Sequence, residues 1–195
     1  MDGFPVSKSK QYKGQLYSET RYAVIKWLEK ELPSVSGSVI DIGAGGWQVP
    51  KQLLDFKKIK EYKTFDKKYY GDSKNTVDYY GDIQSMDASW SNKWDAILCL
   101  EVIECVPDLF KAFSEMYRIL KPGGVLLLSC PFNYRHFGDG SWNDPKKDKR
   151  GVVDYWRPSK QGLELLAKQF SKAQVEGFGG TGSHDRFVHC LKAVK

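Results

Sequence analysis

The sequence predicts an α/β domain built on a single doubly wound, mostly parallel, seven-stranded sheet with an antiparallel edge hairpin. Three observations predict it. Short apolar runs alternate with segments of helical periodicity along most of the chain, the pattern of strand–helix–strand units. The run Ser38–Ile42 opens into the glycine-rich turn Gly43-Ala44-Gly45-Gly46, and Gln48–Phe56 after it suits a helix. The last two apolar runs lie close together in sequence, which suits an antiparallel pair.

Each element follows from local chemistry. Residues 1–17 are polar and tyrosine-rich and read as a flexible or lid-like N-terminal arm ahead of one domain spanning 18–195. Ser18 caps a helix that runs to Leu32 and stops at Pro33, with Tyr22, Ile25, Leu28 and Leu32 on one stripe. Ser38–Ile42 is the first strand. Tyr62–Phe65, ending at Asp66, is the second, and Val77–Tyr80, ending near Gly81-Asp82-Ile83, the third. Trp94–Leu100 is a fourth, strongly apolar strand. Pro107–Leu120 is a helix with Leu109, Phe113, Met116 and Leu120 on one face, closed by the stop signal Lys121-Pro122-Gly123-Gly124. Val125–Cys130 is the fifth strand, 132–153 a long polar and aromatic loop, and Pro158–Phe170 the last helix. Ala173–Phe178 and Phe187–Ala193 close the sheet.

The 195 residues suffice for one domain with a full core, and 41% hydrophobic with 28% charged residues is a globular composition. Apolar runs such as Val125–Leu128 are far too short to span a bilayer, and Met1–Lys10 has no apolar stretch of the signal-peptide kind. Cys99, Cys105, Cys130 and Cys190 form no C-x-x-C pair, so they read as reduced thiols of a cytoplasmic protein, with no metal site expected. The net charge of +6 permits an anionic partner without requiring one. Its densest basic patch, Lys146–Arg150, is interrupted by Asp148 and reads as a solvated loop.

The glycine turn carries the functional signal. A strand, a glycine turn and a helix start form a nucleotide-type cofactor site. The dinucleotide fingerprint G-x-G-x-x-G requires a third glycine, and that place is Gln48. Asp41 at the mouth of the turn suits an ammonium better than a pyrophosphate. D-x-G-x-G therefore favours S-adenosylmethionine, which carries an ammonium and a sulfonium, over NAD. A structural turn in an unrelated α/β domain is the plainer alternative. Asp41, Asp66, Asp82 and Glu101 all fall at strand ends, where sheets of this kind bind ligands.

These motifs resemble the class I S-adenosylmethionine-dependent methyltransferases, in particular their small methyltransferase-type-11-like domains with a Rossmann-like fold, and the resemblance runs from about Val35 to Lys195. Asp41-Ile42-Gly43-Ala44-Gly45 is similar to the family's first motif. Asp66, 23 residues after Gly43, stands where the family's acid binds both ribose hydroxyls, with Lys67 beside it. Gly81-Asp82-Ile83 is similar to the adenine-holding segment. Trp94–Glu104 resembles the fourth-strand motif, with Leu100 and Glu101 at the cofactor edge and Glu104 structural. Arg118–Gly124 resembles the turn before the fifth strand. There are departures: Trp47 replaces a common glycine, and Cys105 a common histidine. Cys130–His136 followed by Asp154-Tyr155-Trp156-Arg157-Pro158-Ser159 is similar to a substrate-side pattern, but His136 stands one place early and the halves are separated by a long insertion. Tyr155 and Trp156 packing the loop, with Arg157 paired to an acid, is the architectural alternative.

The resemblance implies methyl transfer with S-adenosyl-L-methionine as cofactor and S-adenosyl-L-homocysteine as product. The expected acceptor is a small molecule, through an oxygen of a sugar or hydroxylated metabolite. His136, in the loop after the fifth strand, is the expected base or orienting residue; a solvated loop histidine is the plainer reading. His184 and His189 read as structural. The alternatives are an RNA methyltransferase acting on ribose or base, a non-catalytic cofactor-binding module, and an NAD oxidoreductase. Leu100-Glu101-Val102-Ile103 lacks the N/D-P-P-Y/F motif of base-amine methylation, so a nucleic-acid partner is disfavoured. Oligomeric state is not readable from the sequence.

Overall fold

Strand β3 (Gly37–Ile42) is the centre of the molecule in the computed structural model, which describes residues 10–45, 49–67, 77–134, 153–180 and 186–195. It pairs in parallel with β4 (Ile59–Asp66) on one side and with β6 (Trp94–Leu100) on the other. Both its edges are occupied and both its faces are covered, which accounts for an uninterrupted apolar run. Outward from β4 lies the short β5 (Tyr79–Tyr80). Outward from β6 come β7 (Leu120–Pro131), then β9 (Val188–Val194), then β8 (Lys172–Phe178). The seven-stranded order is β5-β4-β3-β6-β7-β9-β8, and β9 runs antiparallel to both neighbours. The expected mostly parallel sheet with an antiparallel edge is present. The last strand is inserted between β7 and β8 instead of closing the edge.

Side-chain alternation divides the core into two layers. Ile40, Ile42, Phe65, Ile97 and Cys99 pack with helix α3 (Leu109–Ile119) and helix α4 (Lys160–Leu166). Val39, Ala96, Leu98 and Leu100 face helix α1 (Glu19–Glu31), through Val24, Trp27 and Leu28. Helix α2 (Val49–Leu53) is shorter than the expected Gln48–Phe56. Each long helix starts on a side-chain cap: Ser18 accepts from the Arg21 N–H at 3.3 Å, Asp108 from Lys111 at 3.0 Å, and Ser159 from Gly162 at 3.1 Å.

Two expectations change. Lys121–Gly124 is not a turn between elements but the first part of β7. The β6–β7 ladder shifts register between Trp94 and Ala96, which absorbs the Pro-Gly-Gly segment as an irregularity within one strand. Lys121 then bonds the Asp95 carboxylate at 2.7 Å, and that carboxylate also accepts from the Ser38 N–H at 2.8 Å, tying β7, β6 and β3 together. The N-terminal arm, expected to be flexible or lid-like, forms in its described part a hairpin of β1 (Lys10–Tyr12) with β2 (Gln15–Tyr17). Its two-residue turn places Lys13 and Gly14 at positive φ, 46° and 82°, the conformation that matches strand twist. Tyr12 bonds Glu29 at 2.8 Å and docks the hairpin on α1.

No helix among the described residues is long and apolar enough to cross a membrane. Truncating the fully buried Leu98 to Ala is expected to destabilise the domain by roughly 2–5 kcal/mol. Leu165→Ala, on the exposed face of α4, should stay within about 0.5 kcal/mol of wild type. Urea unfolding of the two variants checks the assignment of core and surface.

Candidate functional site

The C-terminal ends of β4, β3 and β6 lie side by side, because Ile42 is registered with Phe65 on one side and with Cys99 on the other. The residues that follow, Asp66, Gly43 and Glu101, therefore share one rim. They border a cavity of about 380 Å³. Asp66, Lys67, Gly81, Asp82, Ile83 and Gln84 line one end. Arg21 of α1, Glu101, Val102 and the residues from Glu104 to Pro107 line the other.

The glycine turn is shaped by contact and not by sequence preference alone. Gly43 has φ +75°, and a Cβ there would lie 2.1 Å from the Val102 side chain. Its N–H is spent on the Phe65 carbonyl at 2.8 Å, which sews the ends of β3 and β4 together. The Gly45 N–H donates to Asp66 at 2.9 Å, and the Lys67 N–H donates to the other carboxylate oxygen at 2.7 Å. Asp66 is thus oriented by backbone before any ligand arrives. Asp82 is held by Gln84 through the backbone N–H at 2.8 Å and the side-chain amide at 3.0 Å. Burial works to raise the Asp82 carboxyl, but the Gln84 hydrogen bonds and the Lys67 and Lys111 charges outweigh it and hold the group below its ordinary value.

The opposite end is more strained and more acidic. Glu101 adopts φ +57°, a conformation rare outside glycine. Its N–H bonds the Ser129 carbonyl at 3.0 Å, and the Ser129 hydroxyl donates to its carboxylate at 2.8 Å. Burial raises the Glu101 carboxyl, against the pull of Ser129, Arg21 and Arg157. Glu104 sits in the following short turn, Ile103–Cys105, at 0% exposure. Neither of its carboxyl oxygens has a hydrogen-bond partner among the described residues. Burial first, then the Glu101 charge, hold Glu104 well above the usual carboxylate range. Glu104, expected to be structural, is buried behind the cavity wall.

Of the ten residues expected at a cofactor, Gly43, Asp66, Lys67, Asp82, Ile83 and Glu101 border the cavity. Asp41, Ala44, Gly45 and Leu100 are not among the residues that line it. Asp41 is buried on the α1 side of β3, and its carboxylate accepts from the Tyr62 hydroxyl at 2.6 Å. The acid expected at the mouth of the turn is therefore engaged within the sheet, because strand alternation turns it to the face opposite Ile40 and Ile42. Ala44 is buried, Gly45 supports Asp66, and Leu100 packs in the α1-side core. His136, Gly46, Trp47 and most of the 132–153 loop lie outside the described residues, as does His184. His189 is buried in β9 against Phe132, with its Nδ1 3.2 Å from the Pro158 carbonyl.

The segment Asp154–Arg157 has an architectural part. The Tyr155 and Trp156 N–H groups donate to the Glu104 carbonyl at 2.7 and 3.2 Å, and the Trp156 indole donates to the Val106 carbonyl at 2.8 Å. Arg157 pairs with Asp154 through both guanidinium Nη atoms. The segment thus clamps the turn that carries Glu104. Polar residues following an apolar strand gave no signal of this burial; the long-range backbone clamp produces it.

A family described as a methyltransferase domain matches residues 16–179. A ubiquinone biosynthesis O-methyltransferase of Xanthomonas oryzae pv. oryzae is 26% identical over 113 residues, covering 54% of this chain and 47% of its own. The chain thus spans about half the length of that curated relative. An S-adenosylmethionine-dependent methyltransferase of Thermotoga maritima superposes with a TM-score of 0.60 at 20% identity, covering 90% of this chain and 91% of its own. Phosphoethanolamine N-methyltransferase 2 of Haemonchus contortus, solved with S-adenosyl-L-methionine, gives 0.56 at 14%, covering 88% and 52%. At these identities the two structures show a shared fold.

Asp41 yields a prediction with a definite sign. Burial pushes its carboxyl up to about 7 from 3.8, against the Tyr62 hydrogen bond. The native state then binds a proton that the unfolded chain has lost, so this group's burial costs nothing below pH 3.8 and its full amount above about pH 7. The stability of wild type relative to Asp41→Asn should fall by roughly 4 kcal/mol between those limits. Parallel pH dependences in chemical denaturation would remove the assignment.

Proposed function

The chain belongs to the methyltransferase-domain family, and on that premise we propose that it transfers a methyl group from S-adenosyl-L-methionine to an oxygen of a small hydroxylated molecule. The observation that carries the reading is the shared rim of Asp66, Gly43 and Glu101 around one cavity, with Asp82 and Ile83 at its far side. Asp66, oriented by the Gly45 and Lys67 N–H groups, takes the two ribose hydroxyls. Asp82 and Ile83 take the adenine, through the carboxylate and the apolar side chain respectively. Gly43 lets the end of β3 pack against Val102, where no side chain fits, and the methionine portion passes along this turn. When bound, S-adenosylmethionine supplies a methyl group on a positively charged sulfur.

The protein's part in such a displacement is alignment and the exclusion of water, which together contribute up to about 7–11 kcal/mol. The clamped turn at Ile103–Cys105 and the packed ends of β3 and β6 provide rigid walls for it. The curated O-methyltransferase relative supports a small acceptor methylated on oxygen. His136 is the proposed base on its sequence position after β7; Cys105, at the place where related chains often have histidine, borders the cavity.

S-adenosylhomocysteine at 100 times its dissociation constant is expected to stabilise the protein by about 2.7 kcal/mol in a thermal-shift series, with no response to NAD or FAD. A response to NAD alone would replace the reading with an oxidoreductase. Asp66→Ala should weaken S-adenosylhomocysteine binding by at least tenfold, on the order of the 1.5–3 kcal/mol of one charge-assisted hydrogen bond. Calorimetry showing wild-type affinity would take Asp66 out of the site.

A further inference from the structure

The Gln84 side chain joins two segments of the cavity rim. Its amide oxygen accepts the Asp108 N–H at 2.9 Å, from 24 residues along the chain and just after Pro107. Its amide nitrogen lies 3.0 and 3.1 Å from the two carboxylate oxygens of Asp82. One orientation of the amide satisfies both contacts. A backbone N–H can only donate, so the end that meets Asp108 is the oxygen, and the NH2 group faces Asp82. Asp108 is itself fixed, because it caps α3 by accepting the Lys111 N–H at 3.0 Å. The start of α3 thus holds Gln84, and Gln84 holds Asp82.

The Gln84 backbone N–H adds a further donor to Asp82 at 2.8 Å. Two of these three contacts fall on Oδ1, and only the longest falls on Oδ2. The Lys67 charge, after β4, and the Lys111 charge, on α3, act on the same carboxylate. Donors and positive charges together favour the ionised form, in which Asp82 can only accept. A ligand group that meets Oδ2 must therefore donate. The exocyclic amine of adenine does so. The oxo group of a deaminated base presents lone pairs instead, and a carboxylate repels it.

We propose that Gln84 is a positioning residue that fixes Asp82 as an acceptor, so that the site selects an adenine-bearing cofactor over its deaminated, hypoxanthine-bearing analogue. This rests on S-adenosylmethionine being the donor, with its adenine at Asp82, and deepens that reading by naming the group that sets the base specificity. Without the amide, Asp82 keeps the Gln84 backbone N–H, which holds one oxygen but not the plane of the carboxylate. Gln84→Glu retains an acceptor for the Asp108 N–H but sets a second carboxylate against Asp82. Two acids in contact resist ionising together, so the pair retains a proton that it can donate to an oxo group.

The test is titration calorimetry with S-adenosylhomocysteine and S-inosylhomocysteine on wild type, Gln84→Met and Gln84→Glu, with circular dichroism to report that each variant folds. Wild type should favour the adenine compound by about a hundredfold. Its ratio should stay constant between pH 5.5 and 7.5, because Asp82 titrates below its ordinary value. Gln84→Met should lower the ratio by roughly tenfold. Gln84→Glu should lower it most at pH 5.5, where the pair holds its proton, and recover part of it at pH 7.5. A wild-type ratio near one, or a ratio in either folded variant equal to that of wild type, overturns the proposal. Failure of wild type to bind either compound overturns the choice of cofactor instead. Should one variant not fold, the ratio in the other decides.

Discussion

The rest of the structure depends on the double pairing of β3. Parallel pairing on both edges fixes the positions of three strand ends at once, and residue identity at those ends then determines the site. One constraint makes the arrangement tight: Gly43 lies so close to Val102 that no side chain fits between the end of β3 and the loop after β6. The Gly43 N–H on the Phe65 carbonyl closes the other side. A ligand lying along this rim meets backbone and acid in alternation, on a platform whose strands are buried on both faces.

Electrostatics divides the cavity into two ends. At the β4 end, each acid is supported by hydrogen-bond donors from its own neighbourhood, Gly45 and Lys67 for Asp66, Gln84 for Asp82. Those carboxylates are ready to accept hydroxyl or amine protons. At the β6 end, Glu101 has Ser129, and Glu104 has no partner among the described residues. The second end is the more acidic, and the Arg21 and Arg157 charges act on Glu101 there.

Much of this was legible in the sequence because it is local. The limits of β6 match the apolar run Trp94–Leu100, Ser18 caps α1, and Asp66 and Asp82 stand at strand ends because an apolar run stops there. What the sequence hid is non-local. Asp41 sits in the family's first motif, yet strand alternation and Tyr62, 21 residues later, engage it within the sheet. Lys121–Gly124 contains every stop residue, yet a register shift keeps it in β7. The Lys13-Gly14 turn is a short hairpin signal, but the flanking runs are too brief and polar to declare strands. Glu104 was unreadable because its burial depends on a clamp from Tyr155 and Trp156, some fifty residues away. The acceptor was the least legible part, since the 132–153 insertion expected to decide it matches no local pattern well.

Hydrogen–deuterium exchange with and without S-adenosylhomocysteine tests the central claim, that one cofactor lies along the ends of β4, β3 and β6, most directly. The account predicts new protection at Gly43–Gly45, Asp66–Lys67, Gly81–Gln84 and Glu101–Val106, with the β8–β9 edge unchanged. Protection confined to any one of these segments, or appearing at the β8–β9 edge instead, would contradict it.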